Sequence, residues 1–130
     1  MPHIILADDD AAMRQFLTLS LTRAGHAVSA FPDGRAAFDH LANPAHPADL
    51  LLTDIVMPGM DGIELALRAR HLRPSLKTLY ITGFGTVAGD EITQGPVLAK
   101  PLHLKAVLGE IDRILADFPL PPSPPGTTDT

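Results

Sequence analysis

The sequence predicts an α/β domain built on a doubly wound, five-stranded parallel sheet, and three observations carry that expectation. Five short, largely apolar segments recur along the chain with polar, Gly or Pro residues around them, which is how strands covered on both faces read. Between them lie stretches with helical spacing, so strand and helix alternate. The third observation is size: 130 residues with 45% hydrophobic content suit one domain that buries about two-thirds of its unfolded surface without metal or disulfide.

The elements follow in order. Ile4-Ile5-Leu6-Ala7 is the first strand, and Met13, Phe16, Leu17, Leu21 and Ala24 give the first helix one apolar stripe. Gly25 stops that helix, because a residue at C′ takes positive φ most cheaply as glycine. Ala27-Val28-Ser29-Ala30-Phe31 is the second strand, and Asp33 caps the helix opening at Gly34. Leu50-Leu51-Leu52-Thr53 is the third strand; Asp61, with Glu64 at the capping-box position, starts the third helix. The fourth strand runs from Leu76 to Thr82. Its crossover is weak, since Thr86 to Gln94 offers only Val87, Ala88 and Ile92 as an apolar face among Gly85, Gly89 and Gly95-Pro96, and a short or irregular fourth helix is expected. Val97-Leu98-Ala99 is the fifth strand, followed by a helix with Leu104, Val107, Leu108, Ile111 and Leu115 on one stripe. Right-handed crossovers then place helices on both faces, in the flavodoxin-like order 2-1-3-4-5. Residues 1–117 are expected to form the domain. Residues 118–130, five of them proline, read as a disordered tail.

Composition narrows the function classes. Ten Lys and Arg against fifteen Asp and Glu leave a net charge of −5, which repels nucleic acid and anionic membrane, so neither is an expected partner. The absence of cysteine excludes a disulfide, a thiol nucleophile and a thiolate metal site. Three aspartates follow the first strand at once and no eighteen apolar residues run together, so a cytoplasmic, soluble protein is expected. His3, His26, His40, His46, His71 and His103 lack metal-ligand spacing and read as ordinary surface or partly buried residues. Arg68, Arg70, Arg73 and Lys77, at the end of the third helix and beyond, read as a solvated face favoured by the helix dipole. Tyr80 reads as core, and Phe84, past the strand end, as exposed.

In open parallel sheets, functional groups collect beyond the carboxyl ends of the strands. Here those ends carry Asp8 and Asp9, Asp54, Thr82, and Lys100-Pro101. Three neighbouring carboxylates stay ionised cheaply only around a cation, and hard oxygen ligands favour Mg²⁺. With that ion and Lys100 the cluster is neutral and open to a phosphoryl dianion. Asp54 lies between the other carboxylates and precedes a Pro- and Gly-containing loop able to aim a carbonyl at the metal, so it is the best nucleophile for an acyl phosphate. Thr82 can donate a hydroxyl hydrogen bond and Lys100 can pair with a second phosphoryl oxygen. Taken singly, each has a plainer role: Asp9 or Asp10 as a helix cap, Thr82 as a strand residue, Lys100 as a solvated end. Their joint occurrence at successive strand ends makes the plainer roles improbable.

From Ile4 to about Ala116 the chain resembles the receiver domain of bacterial two-component response regulators, through Asp8-Asp9, Asp54 with Met57-Pro58-Gly59-Met60-Asp61-Gly62, Thr82-Gly83 and Lys100-Pro101. The resemblance implies that Asp54 accepts a phosphoryl group from a histidine kinase or histidine phosphotransfer protein, and that Asp8, Asp9, Asp54 and the backbone carbonyl of Val56 hold Mg²⁺. It implies that Thr82 and Lys100 contact the phosphoryl group, that Lys100-Pro101 is cis, and that the protein is a phosphoacceptor assisting its own modification rather than an enzyme with a separate substrate. A narrower resemblance rests on Met13 to Thr18, Arg23 to His26, Leu51 to Val56, Glu64-Leu65-Ala66 and Tyr80 to Phe84. These segments are similar to single-domain receivers without DNA-binding output, which act unphosphorylated as adaptors priming the ClpXP protease for selected substrates.

Two features depart from the family pattern. The aromatic switch position three residues before the lysine holds Val97, and the interval from Thr82 to Lys100 is short. Switching is therefore expected from Thr82, Phe84, Val97 and Pro101, through rearrangement of Gly83 to Pro96 rather than an aromatic rotamer. The competing function is a phosphorelay intermediate or phosphate sink. A haloacid-dehalogenase-like phosphatase is disfavoured because Val56 stands where its second Asp belongs, and an FMN site because Asp8-Asp9-Asp10 fills the phosphate loop.

Overall fold

A computed structural model of the protein describes residues 1–83 and 96–116. Five strands, β1 (His3–Ala7), β2 (Ala27–Phe31), β3 (Leu50–Asp54), β4 (Lys77–Thr82) and β5 (Val97–Ala99), form one parallel sheet in the order β2-β1-β3-β4-β5. The described helices are α1 (Ala11–Arg23), α2 (Gly34–Leu41), α3 (Gly62–Leu72) and the C-terminal α4 (Leu104–Ala116). The doubly wound fold is thus as the alternation predicts. The crossover expected to be irregular (86–94), Phe84 and the proline-rich tail lie outside the described residues.

Period-2 alternation divides the core between the two faces of the sheet. Ile4, Leu6, Leu50, Leu52, Leu79 and Ile81 point one way, against Leu17 and Leu21 of α1 and Val107, Ile111 and Ile114 of α4. Ile5, Ala7, Leu51 and Tyr80 point the other way, against Ala37 and Leu41 of α2 and Leu65, Ala66 and Ala69 of α3. Each fully buried Leu or Ile contributes about 1.5–3 kcal/mol relative to exposure, so this double core is the main stabilising element. Every residue of β2, the edge strand, is only half-buried, unlike the strands inside the sheet.

Local signals fix the helix ends. Asp10 caps α1, its carboxylate accepting from the Ala12 and Met13 amides; Asp33 accepts from Ala36 and Asp61 from Glu64. The Glu64 carboxylate pairs with Arg68 at 2.7 Å. Gly25 terminates α1 with φ of +99°, and the His26 amide closes the turn on the Leu21 carbonyl.

Three sequence expectations need correction. Phe16 and Ala24 of the predicted α1 stripe are exposed, Phe16 by 43%, and Leu104 of the α4 stripe is exposed while Ile114 is buried. For Phe16 and Leu104 the reason is angular, since each helix touches the sheet over a narrow arc and residues at the stripe's edge rotate out of it, whereas Ala24 is the C-cap residue, past the end of α1. Arg73 is not part of a solvated face; its guanidinium donates to the carbonyls of Leu41, Asn43 and His46, satisfying acceptors at and beyond the end of α2. Among the histidines, read as surface or partly buried, His26 is instead buried, whereas His40 and His46 are partly buried as expected, their rings stacked at 4.0 Å.

Candidate functional site

The register of the parallel sheet assembles the site. Ala7 pairs with Thr53, so Asp8 and Asp54 emerge side by side where β1 and β3 end. Asp54 pairs with Ile81 and Thr82 with Ala99, which carries the row onward to Thr82 and Lys100. Residues distant in sequence thereby meet at one edge, as the carboxyl-end rule anticipates.

Asp8, Asp9 and Asp54 each offer a carboxylate oxygen, and these oxygens lie within 4.8 Å of one another. Asp8 and Asp54 are buried and Asp9 is exposed. The Lys100 ammonium donates to Asp54 Oδ2 at 3.1 Å, and its backbone amide donates to the Thr82 carbonyl at 2.7 Å. Thr82 is buried beside them. Val56 stands 52% exposed in the loop after β3, Pro101 is exposed and joined to Lys100 through a cis peptide, and Val97 is half-buried against the Tyr80 core. His103 is exposed, just ahead of α4. Tyr80 is fully buried, as the sequence suggests.

Electrostatics mark Asp8 as the strained member. Its Oδ1 accepts from the Asp10 amide at 2.9 Å, whereas its buried Oδ2 has no hydrogen-bond partner among the described residues. Burial pushes the Asp8 carboxyl up to about 6, with the neighbouring charges of Asp54 and Asp10 adding to it; the Asp10 amide and Lys100 only partly offset this. For Lys100, burial pulls downward, but the hydrogen bond to Asp54 and the charges of Asp54, Asp8 and Asp10 outweigh it and raise the ammonium above the ordinary lysine value. A buried carboxylate oxygen without a donor, inside a three-carboxylate cluster, is what a hard divalent cation would satisfy. The donor set therefore fits such an ion.

Two supporting residues stand outside the site residues expected from the sequence. Gly62 seats the start of α3 on β3, the strand that ends at Asp54: its amide donates to the Ile55 carbonyl at 2.8 Å, and an added Cβ would overlap the Asp54 carbonyl oxygen. Arg14, one turn into α1, donates from Nη1 to the Asp8 backbone carbonyl at 2.7 Å. An Asp-Gly pair at a helix start could have pointed to the first. Nothing in the spacing of Arg14 distinguishes it from a solvated helix residue.

Comparison with known proteins agrees with this geometry. The sequence profile of the response regulator receiver domain matches residues 4–112. The response regulator receiver protein CpdR of Brucella abortus is 47% identical over 119 residues, covering 88% of this chain and 98% of that protein. The DNA-binding transcriptional regulator NtrC of Azospirillum brasilense is 33% identical over 86% of this chain, which spans only 24% of NtrC. Among solved structures, a response regulator receiver protein from Sinorhizobium medicae superposes with a TM-score of 0.82 at 27% identity, covering 89% of this chain and 95% of that one. Sequence profile, relatives and sheet order converge, and the chain belongs to the response regulator receiver domain family.

Proposed function

We propose that this receiver domain takes a phosphoryl group onto Asp54 from a histidine kinase or histidine phosphotransfer protein and acts in the cytoplasm through protein–protein contact, as a phosphorylation-controlled adaptor for ClpXP proteolysis. The observation that carries the chemistry is the Lys100 ammonium on Asp54 Oδ2 at 3.1 Å, beside the carboxylates of Asp8 and Asp9. An Asp54 oxygen attacks the phosphorus as the phosphorus–nitrogen bond of phosphohistidine breaks, and the imidazole leaves with that electron pair. Lys100 then follows the charge onto a phosphoryl oxygen, and Thr82 donates its hydroxyl to another. Asp8, Asp9, Asp54 and the Val56 carbonyl would hold Mg²⁺, which when bound supplies charge neutralisation for the incoming phosphoryl oxygens. The protein is a phosphoacceptor in this reading, and residues 1–117 are its functional unit.

The adaptor role draws on the similarity to CpdR along nearly that protein's whole length. Acetyl phosphate with MgCl₂ should label wild type and leave Asp54→Ala unlabelled; labelling of the variant at an undiminished rate refutes the assignment. In a pulldown, Asp54→Ala should retain ClpX at least as well as wild type. Recovery of a phosphodonor alone would instead identify a phosphorelay intermediate or phosphate sink.

A further inference from the structure

We propose that Arg14 is a positioning residue that holds the Asp8–Asp9 peptide in the register needed to bind a divalent cation. This deepens, and rests on, the reading of the acidic cluster as a metal site. Asp8 is fixed on all sides but one. Its amide donates to the Phe31 carbonyl at 3.1 Å, its Oδ1 accepts from the Asp10 amide, and its carbonyl accepts from Arg14 Nη1 at 2.7 Å. Among the described residues, only Oδ2 lacks a partner. The two backbone bonds clamp the peptides on either side of the Asp8 Cα, and the Arg14 bond is the one supplied by a side chain from outside the turn. Because the Asp8 carbonyl belongs to the peptide that carries Asp9, rotation there would swing the exposed Asp9 carboxylate away from Asp8 and Asp54. The Arg14 stem is half-buried and its own carbonyl accepts from the Thr18 hydroxyl at 2.7 Å, so the guanidinium is delivered from an ordered turn of α1.

Positioning and bare charge predict opposite signs. A guanidinium near the site repels Mg²⁺, so removing it for electrostatic reasons alone would tighten metal binding. If the guanidinium orients the ligands instead, removing it weakens binding, by about 10-fold on the scale of residues that orient metal ligands from behind. Arg14→Met keeps a flexible, helix-compatible stem and removes the donor; Arg14→Lys keeps one donor and the charge.

The test is an NMR titration of the full chain with MgCl₂, following the amides of Asp8 to Asp10, alongside thermal melts in EDTA. Arg14→Met should bind Mg²⁺ about 10-fold more weakly than wild type, with Arg14→Lys close to wild type. A residue that merely stabilises α1 would lower the EDTA melting temperature and leave the Mg²⁺ affinity unchanged, and that outcome overturns the proposal, as does tighter binding. Should Arg14→Met fail to fold, Arg14→Gln is read by the same criteria. If the wild-type chain itself shows no Mg²⁺ binding, the metal site is refuted and the role of Arg14 with it; unchanged affinity in Arg14→Met refutes the role of Arg14 alone.

Discussion

Replacing Asp8 with Asn should stabilise the metal-free protein near neutral pH and abolish its stabilisation by Mg²⁺. The carboxyl is raised from an ordinary 3.8 to about 6, chiefly by burial. An acid with a raised folded-state value contributes stability that is fully present below pH 3.8 and is lost as pH rises through about 6. At about 1.4 kcal/mol for each tenfold, the gap amounts to about 3 kcal/mol held against the folded state once Asp8 is ionised. For a domain of this length that corresponds to about 10 °C in melting temperature. Asn keeps the oxygen that accepts from the Asp10 amide, and its new NH₂ lies in reach of the neighbouring carboxylates. The assay is thermal or urea unfolding in EDTA from pH 4 to 8, repeated with MgCl₂. Wild type should lose stability relative to Asp8→Asn between pH 4 and 7 and recover it with Mg²⁺, whereas the variant should not respond to the metal. A variant less stable than wild type in EDTA at pH 7 would refute the reasoning, because ionised Asp8 would then be contributing stability through contacts instead of costing it.

Two further outcomes are expected. Gly62→Ala should cost about 1–3 kcal/mol, because the new Cβ meets backbone that cannot yield, overlapping the Asp54 carbonyl and reaching Ile55 Cα at 3.0 Å; an unchanged urea midpoint would count against it. His40 is held below its ordinary value by burial, then by His46 and Arg73, so its contribution is present above pH 6.5 and lost as pH falls below that. His40→Phe keeps a ring against Phe31 and His46 without titrating, and should show a shallower loss of stability than wild type between pH 7 and 5; parallel slopes would refute this.

Much of this was legible in the chain. Alternating apolar segments dictate the parallel sheet because each strand must be covered on both faces, and side-chain period 2 then decides that Leu50 and Leu52 face α1 and α4 while Leu51 faces α2 and α3. Asp10, Asp33, Asp61 and Gly25 act as caps and stop through bonds to residues within a few positions, so sequence spacing suffices to place them. The acidic cluster could be anticipated because Asp8, Asp54, Thr82 and Lys100 each follow or close a strand, and parallel strands share an end. What the tertiary structure alone decided depends on angle and reach across elements. The narrow arc of helix contact exposes Phe16 and Leu104, the C-terminus of α2 gives Arg73 carbonyls to bind, and close approach of α3 to β3 makes a side chain at Gly62 overlap the Asp54 carbonyl. Arg14 belongs with these. Its carbonyl partner, Asp8, is six residues back across a turn, and no periodicity encodes where a long, flexible guanidinium comes to rest. Sequence specifies which groups occupy an edge, because strand period and chain order are local; which side chains hold that edge in register is set by distances that exist only once the sheet and helices have packed.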